Sequence, residues 1–214
     1  MKKSDKINLP KTYSETIYQY VKKSILSGEL RAKEKIREKD IANKFKVSIT
    51  PVREAIRRLS GEKFLIINAH RDIIVAGTSW KECQEIYEVI GFLDFHAIVK
   101  AIDVVNEKDL DELKKMTKKM KDFLTMEKAD LYLKHSMKIH NKIWNLSDNK
   151  FLLQILEQLM EKISFFNRQG FSPYPELESM KRSYEDHENL IIGIEKKDIE
   201  MIQNVVSRHW YMPY

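Results

Sequence analysis

The sequence predicts a mostly α-helical chain in two parts: a small unit of three helices and a β-hairpin, then an antiparallel bundle of six longer helices. Three observations carry this. Apolar residues recur at helical spacing along most of the chain, and extended runs are confined to residues 35–37, 64–68 and 73–76. Charge divides unevenly: residues 1–78 hold 18 Lys and Arg against 9 Asp and Glu, whereas the remainder holds 20 against 23. A Gly77-Thr78-Ser79 stretch, rich in turn-forming residues, lies between the two parts.

The first helix is predicted over 16–27, with Ile17, Tyr18, Val21 and Ile25 on one face and Gly28 as its stop. A short extended piece covers 35–37. A second helix over 38–45 turns Ile41, Ala42 and Phe45 inward. The third runs from Thr50-Pro51 to Gly61, with Thr50 as N-cap and Pro51 at the first helical position, where a missing N–H costs nothing. Its inner face is Val52, Ala55, Ile56 and Leu59, at spacing i, i+3, i+4, i+7. Two strands, 64–68 and 73–76, flank a polar tip at Ala69-His70-Arg71-Asp72. Helix, strand, helix, helix, hairpin is the order of a winged helix-turn-helix, and it spans residues 1–76. Residues 77–79 form the linker.

From Trp80 to the end, helices are predicted over 80–102, 107–126, 128–146, 149–168, 175–195 and 198–210, broken at Asn106, Ser147-Asp148-Asn149, Gly170 to Pro175 and Lys196-Lys197-Asp198. Helices of this length pack as a bundle with their apolar faces inward. Residues 80–214 therefore form one all-helical domain.

Composition removes several function classes. One cysteine, Cys83, rules out an internal disulfide framework and fits a reducing cytoplasm. The first ten residues lack the apolar stretch of a signal peptide, and no run approaches the roughly 20 apolar residues of a membrane span. The basic first third fits a nucleic-acid-binding unit, although solvated lysines alone would give the same count.

A helix entering the major groove offers its N-terminal residues to base edges. Here those are Ser48, Thr50 and Arg53, with Arg57 one turn on. Arg53 suits either a guanine edge or a phosphate. Lys39 lies near the DNA backbone, and His70 and Arg71 reach from the hairpin tip. The run Val47-Ser48-Ile49-Thr50-Pro51-Val52-Arg53-Glu54-Ala55-Ile56-Arg57-Arg58-Leu59 resembles the signature of GntR-family regulators. So do Ile25 to Leu30, Glu38-Lys39-Asp40-Ile41-Ala42 and His70-Arg71-Asp72, which together cover about residues 14–76. Ile49 and Lys39 stand where the family usually has arginine, and Lys39 keeps charge without the bidentate fork. Lys33, Lys46, Lys63 and Asp72 stand where it often has glycine, so these turns would hold non-glycine residues at positive φ. Asp72 also brings negative charge to the wing.

Six histidines occur: His70, His96, His135, His140, His187 and His209. His187 precedes Asp198 by 11 residues and His209 follows it by 11. A tight turn there sets the two imidazoles level, each about 16 Å from the turn. His140, on an earlier helix, completes a three-histidine cluster suited to zinc, nickel or a similar divalent ion. His96 and His135 are assigned structural or surface roles.

Glu85-Ile86-Tyr87-Glu88-Val89 with Leu93-Asp94, Ile139-His140 with Asn149, Glu185-Asp186-His187 and Arg208-His209 resemble the FCD domain of the FadR/VanR-like branch. In its metal-binding members an aspartate four residues before the first histidine joins three histidines on one ion. Ser136 holds that position here. Ile90 stands at a common arginine and Asp94 at the usual glutamate. The resemblance implies a homodimeric repressor that reads a palindromic operator. A small molecule, often a carboxylate, would bind in the bundle near the metal and alter the spacing of the DNA heads. Two alternatives remain: a DNA-binding regulator with a decayed, metal-free effector site, and a metal-dependent hydrolase using Glu185 or Glu188 as base.

Overall fold

The structure is a computed structural model. It describes residues 12–68, 72–77, 79–126, 128–168 and 177–210. The chain divides into two compact units, 1–78 and 79–214. His70, Arg71, Thr78 of the linker and the 170–175 break lie outside the described residues.

Unit one holds α1 (Tyr13–Leu26), β1 (Lys35–Ile36), α2 (Glu38–Phe45), α3 (Ile49–Gly61), β2 (Leu65–Ile67) and β3 (Ile73–Val75). The Thr12 hydroxyl caps α1 by accepting from the Glu15 amide at 3.2 Å. The strands form an antiparallel sheet in the order β1-β3-β2, with Lys35 opposite Ile74 and Leu65 opposite Val75. Ile17, Val21 and Ile25 of α1 are buried, as are Val52, Ile56 and Leu59 of α3 and Leu65 and Val75 of the sheet.

The start of α3 corrects the sequence reading. Its N-cap is Ser48, with extended backbone, so Thr50 and Pro51 lie inside the first turn. Proline is tolerated there because the first four amides have no intrahelical acceptor in any case. Lys33, Lys46 and Lys63 do adopt positive φ, at 66°, 53° and 62°. The Asp72 carboxylate pairs with Lys35 at 2.7 Å, which offsets its charge within the wing.

Unit two holds α4 (Trp80–Ile102), α5 (Glu107–Thr125), α6 (Ala129–Leu146), α7 (Lys150–Arg168), α8 (Leu177–Lys196) and α9 (Ile199–His209). Ser79 caps α4, and a reciprocal Asn106–Asp109 capping box opens α5. The α8–α9 hairpin turns on Lys197, at φ 55°, and on Asp198, which caps α9. Gly193 permits this closure: a Cβ there would lie 2.8 Å from Ile202 Cγ1. That close approach sets His187 and His209 side by side.

Cys83 is buried on α4, and desolvation, with Glu82 nearby, pushes its thiol up to about 11. Native protein should therefore react with an aromatic disulfide reagent at least ~100-fold more slowly than urea-unfolded protein. A stopped-flow comparison at pH 8 checks this.

Candidate metal centre and nucleic-acid interface

In unit one, Lys39, Ser48, Thr50, Arg53 and Arg57 are all exposed. They stand on α2, at the start of α3 and along its outer face. Arg53 is held: its Nε donates to both Glu38 oxygens, at 3.0 and 3.2 Å. The terminal amino groups of the guanidinium remain for another partner. Arg57 makes no ion pair among the described residues. Arg58 is tied into the unit instead. It donates to Glu15 at 2.6 Å and lies over the Tyr18 ring. Tyr18 and Lys22 in turn bond Glu62, so the basic residues of α3 divide into one that fastens the unit and two that face outward.

In unit two, the structure brings His140, His187 and His209 together. One ring nitrogen of each lies within 4.8 Å of the other two. His140 and His187 are almost fully buried, and the His209 side chain is 6% exposed. Ring orientations follow from the outer partners. The carbonyl of Ser183 can only accept, so His187 Nδ1–H donates to it at 2.6 Å, leaving Nε2 as a lone pair. His140 Nδ1–H donates to Asp94 Oδ1 at 3.2 Å, likewise freeing Nε2. His140 Nε2 faces His209 Nε2 at 3.2 Å. His209 Nδ1 has no hydrogen-bond partner and lies 3.6 Å from Asp186 Oδ2.

Burial works against charge on two of these rings. Desolvation, with His209 and His140 nearby, pushes His187 well below the usual imidazole range. Desolvation also lowers His209, against the pull of the Asp186 carboxylate. Asp94 is fully buried. Desolvation would raise it, but His140 and the hydrogen bonds from His140, Trp210 and Trp144 together hold it below the usual carboxylate range.

This donor set fits a divalent ion. Two imidazoles on a tetrahedral ion, with bonds of 2.0–2.1 Å, place their nitrogens about 3.3 Å apart, close to the observed His140–His209 separation. The orphaned Nδ1 of His209 is also accounted for. If an ion takes Nε2, the proton moves to Nδ1 and points at Asp186. Asp94 and Asp186 then act as outer carboxylates that orient the ligands, while the other Asp186 oxygen pairs with Arg208. Ser136 touches the centre: its hydroxyl donates to His187 Nε2 at 3.1 Å. The space among Asp94, Leu190, Val205 and the three histidines does not admit a water molecule.

Sequence reasoning missed how Asp94 is used. A carboxylate amid the buried stripe Ile90, Ala97, Ile98 and Ala101 was a signal, because an ionised group there needs several donors. Trp144, Trp210 and Ser183 gave no comparable signal. His96 is exposed and His135 is buried against Phe123. Glu185 and Glu188 are exposed, and Glu188 accepts from Tyr184 at 2.6 Å, so neither sits among the histidines.

Among the described residues the chain is a three-helix head with a hairpin followed by a six-helix bundle, and comparison with known proteins identifies a transcription regulator. Residues 13–75 match the family described as "Bacterial regulatory proteins, gntR family", and residues 85–211 match the FCD domain. The chain belongs to the GntR family and carries an FCD domain.

It is 25% identical over 206 residues to the uncharacterized HTH-type transcriptional regulator YdhC of Bacillus subtilis, covering 96% of this chain and 91% of that protein. It is 27% identical over 177 residues to the gluconate operon transcriptional repressor of the same organism, covering 81% and 72%. Among solved structures, Escherichia coli McbR/YncC superposes with a TM-score of 0.70 at 19% identity, covering 94% of each chain, which shows a shared fold. Among the described residues no helix is long and apolar enough to cross a membrane.

Proposed function

We propose that this chain is a ligand-controlled repressor. It acts as a homodimer on a palindromic operator, with residues 1–76 as head, 77–79 as linker and 80–214 as sensing and pairing domain. Lys39, Ser48, Thr50, Arg53 and Arg57 meet the DNA, joined by His70 and Arg71 of the wing. His140, His187 and His209 hold one divalent ion such as zinc or nickel, which when bound offers a positive centre for a small carboxylate. Asp94 and Ser183 fix the His140 and His187 tautomers, and Asp186 receives the proton of His209. The observation that carries the reading is the convergence of three imidazoles, with the Nδ1 of His140 and His187 held by outer acceptors.

Repression and a carboxylate are supported by the gluconate operon repressor among the relatives, whose operon is named for a hydroxy-carboxylate. Because the space at the histidines is too small for a water molecule, an effector that reaches them must displace lining side chains. It therefore favours a bundle with that space widened, and that difference in affinity is what can drive a switch. The Ser136 hydroxyl on His187 favours a second reading, in which hydrogen bonds alone hold the cluster.

Selection of bound duplexes from a random pool tests the DNA half. The expected outcome is a two-fold symmetric consensus and release by a member of a small-carboxylate panel. Enrichment without a consensus would contradict sequence-specific regulation.

A further inference from the structure

The bundle has a second concavity, next to the histidines: Trp210, whose ring centroid lies 5.0 Å from that of His140 and 5.1 Å from that of His209, forms part of its wall. Between α4 and α9 lies an open cavity of about 490 Å³. Small-molecule sites run from about 300 to 1,000 Å³. Its walls are largely aromatic: Tyr87, Phe92 and Phe95 from α4 and Trp210 at the end of α9. Phe92 of this wall is 70% exposed. Among the described lining residues Glu88 is the one charged side chain, and no Lys or Arg is present. The exposed Gln203 and Ser207 supply polar groups on α9. Aromatic faces beside a single carboxylate suit a flat ring system that is neutral or positively charged, through stacking and cation–π attraction. They disfavour an anion.

Trp210 belongs to two environments. It lines the cavity, and its indole N–H reaches inward to donate to Asp94 Oδ2 at 2.7 Å. The other Asp94 oxygen accepts from His140 and from Trp144. Gly91 lets the indole seat this closely, since a Cβ there would lie 3.3 Å from Trp210 Cβ. A molecule that displaces the Trp210 ring must therefore alter the hydrogen bonds of the carboxylate that orients His140.

We propose that the α4–α9 cavity is a binding site for a flat aromatic molecule, neutral or cationic, and that Trp210 transmits its occupancy to Asp94 in the bundle core. This cavity adjoins the histidine centre, with Val206 lining both, and neither half of the proposal needs a bound ion.

The test uses full-length protein labelled with fluorotryptophan. Its three tryptophans, Trp80, Trp144 and Trp210, give three fluorine resonances, assigned with single Trp→Phe variants. The probes are naphthamidine, naphthamide and naphthoate, which share a ring system and differ in charge. The cationic and neutral probes should shift the Trp210 resonance saturably, and the Trp144 resonance should move in step. Naphthoate should bind ~10-fold more weakly than naphthamidine, and Glu88→Gln should narrow that gap. Ser207→Phe, at an exposed position, should fill the cavity and abolish the response while helix content is unchanged. Absence of a saturable shift, equal binding of all three probes, or an undiminished response in Ser207→Phe would overturn the site. A moving Trp210 resonance with a still Trp144 would overturn the transmission. Titrations with and without one equivalent of zinc keep the readings separate, because failed zinc uptake leaves the probe result standing.

Discussion

Asp94→Leu is expected to lower the unfolding free energy of the bundle by about 3–5 kcal/mol. The Asp94 carboxylate is fully buried and accepts from His140 Nδ1, Trp144 Nε1 and Trp210 Nε1. Leucine is close in size, so lost packing contributes little. What remains is a set of buried donors without an acceptor, each costing about 1–3 kcal/mol. His140 escapes part of this by shifting its proton; an indole cannot. Asp94→Asn should fall between, at about 1–3 kcal/mol. Its carbonyl can still serve His140 and Trp144, but its amide then faces the Trp210 N–H. Urea unfolding followed by tryptophan fluorescence ranks the three proteins, since Trp144 and Trp210 both report from the core. A loss below ~1 kcal/mol for Asp94→Leu would mean that water satisfies these donors.

Arg53→Ala is expected to weaken operator binding by about 1–3 kcal/mol. Arg53 is exposed on the first turns of α3, and its Nε is held by Glu38 while the terminal amino groups are left free to pair with a guanine edge or a phosphate. Anisotropy titrations with selected operator and random duplex separate the two uses. A loss confined to the operator assigns Arg53 to a base, and an equal loss on both assigns it to the backbone. Arg53→Lys should not restore specific binding, because a lysine cannot keep the Glu38 contact and offer a fork at once. Unchanged operator affinity in Arg53→Ala would remove α3 as the reading helix.

Much of the fold could be read along the chain because its cues are local. The span expected for α4, 80–102, coincides with the helix observed, where a serine cap precedes a sustained apolar stripe. The start of α3 was misplaced because Pro51 is equally acceptable at several positions of a first turn. Hairpin arithmetic about Asp198 related His187 to His209, whose ring centroids lie 4.7 Å apart.

The environment of those rings was another matter. The partners of Asp94 are 46, 50 and 116 residues away, beyond any periodic pattern. The Ser183 carbonyl that sets His187 is main chain, and its identity carries no signal. Family resemblance marked Ser136 as a missing ligand; packing turns it into a hydrogen-bond donor to His187 Nε2. Arg58 and Arg53, five residues apart, look alike in sequence and differ only through Glu15 and Glu38, which α1 and α2 bring to them.

We propose that the three histidines hold one divalent ion per chain. Competition of purified protein with a chromophoric chelator for zinc, on wild type and on His140→Ala, measures this. One equivalent of zinc is expected in the wild type, with affinity lowered at least ~100-fold in His140→Ala and ~10–100-fold in Asp94→Asn, which keeps the ligands and disturbs only the orienting carboxylate. No zinc uptake by the wild type, or the same uptake after His140→Ala, would contradict the claim.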